Sequence, residues 1–176
     1  FRKQFFAAVQ MVDEGHIALK DFYGSWAGAA GQVQFIPTTF LGFAVDGNGD
    51  GKKDLWHSEE DIIPSAANYL AKNGWVRGQP IYQRVILTKY LPADMNFDRR
   101  GLSDRKNLSE WQKLGLKHLN NQPFPKLNGF RPRLYLPEGP SRYAYLVYKN
   151  FDVLMRWNNS SVFAFTAARL SEELIK

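Results

Sequence analysis

The chain contains no cysteine. Disulfides and cysteine-based zinc sites are therefore excluded, and no compartment is ruled out. Histidine is scarce. His16, His57 and His118 lie far apart and show no zinc-ligand spacing. No apolar run reaches the roughly 18 residues that a membrane span needs, and no signal peptide is visible. A Gly-x-Ser-x-Gly nucleophile motif is missing. So is a phosphate loop: the Gly-Asn-Gly-Asp-Gly run starting at Gly47 carries acids where a phosphate needs bare amides. The formal charge is +6, which draws anions to the surface. Yet the basic residues form no long block. Arg99-Arg100 and Arg131-Pro-Arg133 are read as surface, so nucleic acid is not an expected partner.

What remains is enough for a folded body. With 176 residues, 44% of them hydrophobic and 15% aromatic, the chain suits one domain, or one domain carrying a smaller insert. It opens on Phe1 without an initiator methionine and is expected to be a fragment or a processed product. Helical spacing of Phe5, Phe6, Val9 and Val12 predicts a helix over 2–14, stopped by Gly15. A short helix is expected around Pro37. Ser58, followed by Glu59, Glu60 and Asp61, reads as the start of a helix running to Asn73-Gly. From Gln79 the pattern turns β-rich. Strands are predicted over 82–88, 131–136 and 143–148, the last two joined by Pro-Glu-Gly-Pro, with a short helix over 108–114, Ser109 at its start and Gly115 at its end, between the first two. Helices are expected over 150–156 and 160–175, the latter packing through Phe163, Ala167, Leu170 and Leu174. The predicted class is α+β, mainly α. Residues 1–78 form a helical part, 79–148 a small β-rich insert, and 149–176 helices that pack back on the first part.

Two adjacent segments carry the chemistry. Gly24-Ser-Trp-Ala-Gly-Ala-Ala-Gly31 is a run of small residues that leads into two amides, Gln32 and Gln34. Small residues let a bulky sugar chain lie close to the backbone, and Ser25 and Gln34 can both donate and accept hydrogen bonds. The alternative is a tight crossing that only packs. Asp46-Gly-Asn-Gly-Asp-Gly-Lys follows. Calcium takes hard oxygens from positions 1, 3, 5 and 7 of such a loop, with glycine at position 6. Those positions are Asp46, Asn48, Asp50, the Lys52 carbonyl and Gly51. Position 12 is His57, a poor calcium ligand, so Glu60 or Asp61 would have to close the shell. The alternative is an acidic turn without metal. Tyr69, Trp157 and Phe163 can stack on sugar faces or can sit in the core.

The Gly24–Thr39 stretch resembles the core motif of the lytic murein transglycosylases of the MltB type. The acidic loop, Ala67-Asn-Tyr-Leu70, Asn73-Gly-Trp75 and Asn150-Phe-x-x-x-x-x-Trp-Asn-x-Ser160 follow in that family's order. The resemblance implies a lysozyme-like, periplasmic, often lipid-anchored enzyme that acts on peptidoglycan. It would cleave the β-1,4 bond from N-acetylmuramic acid to N-acetylglucosamine and form a 1,6-anhydro sugar. It further implies that Ser25, Gln34, Tyr69, Trp157, Asn158 and Phe163 contact glycan, with Ser25, Gln34 and Asn158 along one groove. Trp157 and Phe163 stand where the family has tyrosines, so the ring face is kept and the hydroxyl lost. The resemblance makes Asp61 the closing ligand for calcium. No carboxylate of this chain matches the family's catalytic glutamate, which is expected upstream of Phe1. A non-catalytic peptidoglycan-binding module, or a calcium-stabilised interaction domain, is the alternative function.

Overall fold

A computed structural model describes residues 1–120, 122–139 and 143–174. The chain divides into two compact units, Phe1–Lys72 and Asn73–Lys176.

The first unit holds α1 (Arg2–Asp13), a single 3₁₀ turn at Leu19–Asp21, α2 (Pro37–Phe43) and α3 (Glu59–Lys72). Gly15, at φ +75°, ends α1 with its N–H on the Val12 carbonyl, while the His16 N–H reaches Met11. This paired closure needs a left-handed residue, which glycine supplies without a Cβ clash. Pro37 starts α2, where its missing N–H costs nothing. Ile36 at the cap has no polar side chain, so Gln4 of α1 substitutes. Its Oε1 accepts from Thr38 N at 3.0 Å and its Nε2 donates to Thr38 Oγ1 at 2.9 Å. Met11, Phe40 and Leu55 are almost fully buried. Burial of each contributes about 1.5–3 kcal/mol. The packing face of α1 differs from expectation: Ala7 and Met11 are buried, and Phe5, Phe6 and Val9 are exposed. The helix carries apolar residues on several sides, so periodicity alone does not single out one face.

The second unit is built on an antiparallel sheet in the order β2-β1-β4-β3. Its strands are β1 (Tyr82–Leu87), β2 (Leu116–His118), β3 (Arg133–Tyr135) and β4 (Tyr143–Val147). Alternation buries both faces. On one, Val85, Leu134, Ala144 and Leu146 meet Trp111 of α4 (Leu108–Lys113). On the other, Tyr82, Tyr135 and Val147 meet Phe151 of α5 (Lys149–Trp157) and Ala164 and Ala168 of α6 (Ser161–Glu173). From the segment 149–176, expected to pack back on the first part, α5 and α6 bury these apolar side chains with the sheet, whose second face needs a cover. Within α6 the buried positions are Ser161, Ala164 and Ala168, while Phe163, Leu170 and Leu174 are exposed. Small residues on the buried side let α6 come close to the sheet. Ile175, placed in this helix by the sequence, lies outside the described residues. α4 starts at Leu108 as expected, and Asn107 rather than Ser109 marks its cap, in a reciprocal box with Glu110. β2 was not foreseen, since three residues give no readable alternation.

Candidate glycan turn and acidic loop

Residues 24–35 fold into a doubled-back loop. Ala30 and Phe35 pair through both backbone bonds, at 3.0 and 3.1 Å, and both are buried. Ser25 is exposed, and its Oγ accepts from Ala29 N at 3.1 Å. The four residues between the paired positions form a tight turn, with Gln34 N on the Gly31 carbonyl at 3.1 Å. Gln34 is exposed and sits at φ +52°, a left-handed conformation rare outside glycine. Its side-chain Nε2 folds back on the same Gly31 carbonyl at 2.9 Å. Gly31 must be glycine: a Cβ there would stand 2.7 Å from the Leu55 carbonyl oxygen.

The acidic loop runs from Asp46 to Lys52, and its oxygens point into their own backbone. Asp46 accepts from the amides of Gly49 at 2.7 Å and Gly51 at 2.8 Å. Asn48 Oδ1 accepts from Asp50 N at 3.0 Å, and Asp50 Oδ1 from Lys52 N at 2.8 Å. Asp61, from the first turn of α3, is fully buried. Its Oδ1 takes the amide of Gly47 at 2.8 Å and that of Asn48 at 3.4 Å; its Oδ2 takes Asp54 N at 2.7 Å. Burial pushes the Asp54 carboxyl up, but the amides of Trp56 and His57 and the His57 ring outweigh it and hold it below its usual range. Among the described residues, no group of three or more His, Cys, Asp or Glu is gathered so that it could hold a metal.

The remaining sites divide between the units. Tyr69 belongs to the first unit and is buried, with its ring 4.9 Å from Phe43 and 5.5 Å from Phe35. Trp157, Asn158 and Phe163 gather at the α5–α6 turn of the second. Trp157 ends α5 and is half-buried; Asn158 follows it and is exposed. Asn158 is tied to the next helix because Ser160 N donates to its carbonyl at 2.7 Å. Ser160 caps α6 by accepting from Phe163 N at 3.2 Å, and Phe163 is 39% exposed. Arg100 braces the turn from outside, through Asn159 Oδ1 at 2.6 Å. Sequence reasoning missed this brace, and it missed the bonds that Gln32 makes. The amide of Gln32 was visible in the motif, but its partners were not.

A sequence profile described as the Transglycosylase SLT domain matches residues 1–172. The chain belongs to this family. It is 31% identical over 152 residues to membrane-bound lytic murein transglycosylase B of Escherichia coli (strain K12), covering 85% of this chain and 38% of that protein. Its fold is similar to that of SltB3 from Pseudomonas aeruginosa in complex with NAG-anhNAM-pentapeptide. The TM-score is 0.78 and the identity 43%, over 92% of this chain and 42% of that one. It is also similar to Escherichia coli Slt35 in complex with calcium, with TM-score 0.79 and 28% identity over 97% of this chain and 51% of that one. The chain therefore spans about half or less of the length of these relatives. The mainly helical α+β class with its small antiparallel sheet agrees with the lysozyme-like fold expected from the sequence. No helix among the described residues is long and apolar enough to cross a membrane.

Proposed function

We propose that the intact protein is a periplasmic lytic transglycosylase of peptidoglycan, held at a membrane by a lipid anchor, and that this chain supplies part of its glycan grip. The carrying observation is Gln34: an exposed amide held at φ +52° on a turn fixed from both sides. Such strain is stored where surroundings over-determine a conformation, commonly at binding sites. Relatives in complex with muropeptide or with calcium support the reading. Ser25 and Gln34 would offer polar contacts, with Tyr69 fixing the wall beneath. Asn158 would add an amide, and Trp157 and Phe163 ring faces. The bond broken would be the β-1,4 link from N-acetylmuramic acid to N-acetylglucosamine, with the 6-hydroxyl as nucleophile and one glutamate as acid and then base.

That glutamate is not assigned to this chain. A general acid working near neutrality needs a water-poor pocket that raises its pKa. None of the chain's glutamates is buried. The hydrogen bond from Gln10 pulls Glu14 down, the wrong direction for an acid. Taken alone, the chain therefore fits the second reading, a peptidoglycan-binding module without turnover.

Calcium is proposed at the acidic loop, on Asp46, Asn48, Asp50 and the Lys52 carbonyl, with Asp61 closing the shell. The donor chemistry fits, since all are hard oxygens and two of them, the Asn48 amide and the Lys52 carbonyl, are not acids. When bound, calcium would neutralise the carboxylates and cross-link the loop to α3. The test of the function is binding of chitotetraose and of muropeptides, with products read by mass spectrometry. Gln34→Ala should weaken binding and leave the fold intact, and the chain alone should release no 1,6-anhydromuropeptides. Unchanged affinity in Gln34→Ala would overturn the glycan reading. Anhydro products from this chain would overturn the assignment of the acid elsewhere.

A further inference from the structure

We infer that Gln32 is a positioning residue for Gln34. The inference rests on the proposed glycan role of Gln34 and deepens it. A four-residue turn closed by one backbone pair can twist about that pair, and a residue at φ +52° has reason to relax. The left-handed conformation costs a non-glycine residue on the order of 1–2 kcal/mol. The Ala30–Phe35 pairing and the two bonds from Gln34 to the Gly31 carbonyl close the turn on itself, and Gln32 ties it to the neighbouring backbone. Its backbone N–H donates to the Leu55 carbonyl at 2.8 Å, and its side-chain Nε2 donates to the Trp56 carbonyl at 3.0 Å. The two acceptors are consecutive residues of one turn, so Gln32 clamps that turn with both its backbone and its side-chain donor.

That backbone is itself anchored. Leu55 is fully buried. Trp56 N donates to Asp54 Oδ1 at 2.8 Å, and Asp54 N to the buried Asp61 at 2.7 Å. Gly31 lies flush on Leu55, where a Cβ would meet the Leu55 Cβ at 2.9 Å. The turn is therefore seated at Gly31 and pinned at Gln32, two residues before the strained Gln34. Only the side-chain half of the pin can be removed by substitution without touching the seat.

The experiment compares the intact protein with its Gln32→Ala, Gln32→Leu, Gln34→Ala and double Gln32→Ala/Gln34→Ala variants. Affinity for chitotetraose is read by calorimetry and folding by thermal melting. Loss of one hydrogen bond that orders the turn should weaken binding about 3- to 10-fold. Gln32→Leu, which keeps the volume, should match Gln32→Ala. The double variant should bind no more weakly than Gln34→Ala alone, because a positioning residue has nothing left to position. A merely structural role would instead give additive losses and a lowered melting temperature in both backgrounds. Weakening by Gln34→Ala with no effect of either Gln32 variant, or additive losses, would overturn the inference and leave the glycan reading standing. No effect of Gln34→Ala would overturn that reading and the inference with it.

Discussion

Replacing Asp61 by alanine should unfold the first unit more easily even when no calcium is present. The carboxylate is fully buried and accepts three backbone amides, at 2.7, 2.8 and 3.4 Å. Alanine leaves those amides without acceptors. An orphaned buried N–H costs about 1–3 kcal/mol. The two short bonds carry most of the effect, and because Gly47 is exposed and Asp54 half-buried, water replaces part of what is lost, so the loss should be about 1–3 kcal/mol. One effect opposes it. Asp46, Asp50 and Asp54 lie on the same loop, and removing a fourth negative charge relieves repulsion. Asp50 is exposed and Asp46 half-buried, and interactions at such sites are worth about 1 kcal/mol or less. The lost hydrogen bonds should therefore win. Asp61→Asn keeps one acceptor oxygen and should fall between wild type and alanine. The assay is urea denaturation followed by circular dichroism, in EDTA. A stability within about 0.5 kcal/mol of wild type for Asp61→Ala, the scatter of an ordinary surface substitution, would refute the reasoning. It would mean that the loop closes without this carboxylate.

Three further outcomes are expected. Calcium should raise the melting temperature of the wild type by mass action, and Asp50→Ala should lose most of that rise; a flat wild-type titration would remove calcium from the loop. Asp98 is pushed up by burial but pulled down to about 2 by the Leu102 amide, Arg100 and Arg133. A folded value below the unfolded one means stability that is present above pH ~4 and lost as the pH falls towards 2, about 1 kcal/mol after solvent screening. Acid titrations of wild type and Asp98→Asn should converge in that window. Asn150 is fully buried and binds Val76 N, Val76 O and Gln79 O at 2.8, 3.0 and 2.7 Å. Asn150→Ala orphans all three and should cost about 3 kcal/mol, read in the same urea assay.

The parts of the fold that were legible in the sequence are those written in local chemistry. Gly15, Pro37 and the acidic first turn of α3 mark helix ends through their own backbone preferences, and the structure puts ends there. The β-branched and aromatic content of 82–88 and 143–148 likewise reads as strand. Helix faces were less legible. α1 and α6 each carry apolar residues on more than one side, and the side that packs is chosen by what lies opposite. There the small side chains Ala7, Ala164 and Ala168 prevail over the larger Phe5, Phe163 and Leu170 because they let backbones approach. At the candidate site, the residue types at Ser25, Gln34 and the acidic loop were legible. The brace at Arg100 and the clamp at Gln32 were not, since each joins residues that the sequence keeps 24 or more positions apart.

The acidic loop shows why such links escape a linear reading. Gly47 does not stand at the loop's sharp-turn position, so nothing in the motif explains why it is glycine. The explanation lies 17 residues on, in Pro64, inside α3. Proline has no N–H to give the carbonyl four residues back, so the Glu60 carbonyl leaves the helix ladder unpaired. The Gly47 backbone lies directly against that carbonyl: a Cβ on Gly47 would stand 1.8 Å from the Glu60 oxygen. The same approach delivers the Gly47 amide to Asp61 Oδ1 at 2.8 Å. Gly47, Glu60, Asp61 and Pro64 are thus one contact. Glycine admits the close approach, proline frees the carbonyl that faces it, and the aspartate between them secures the loop to the helix. A helix-breaking residue that looks misplaced in the sequence is what lets the loop dock on the side of α3.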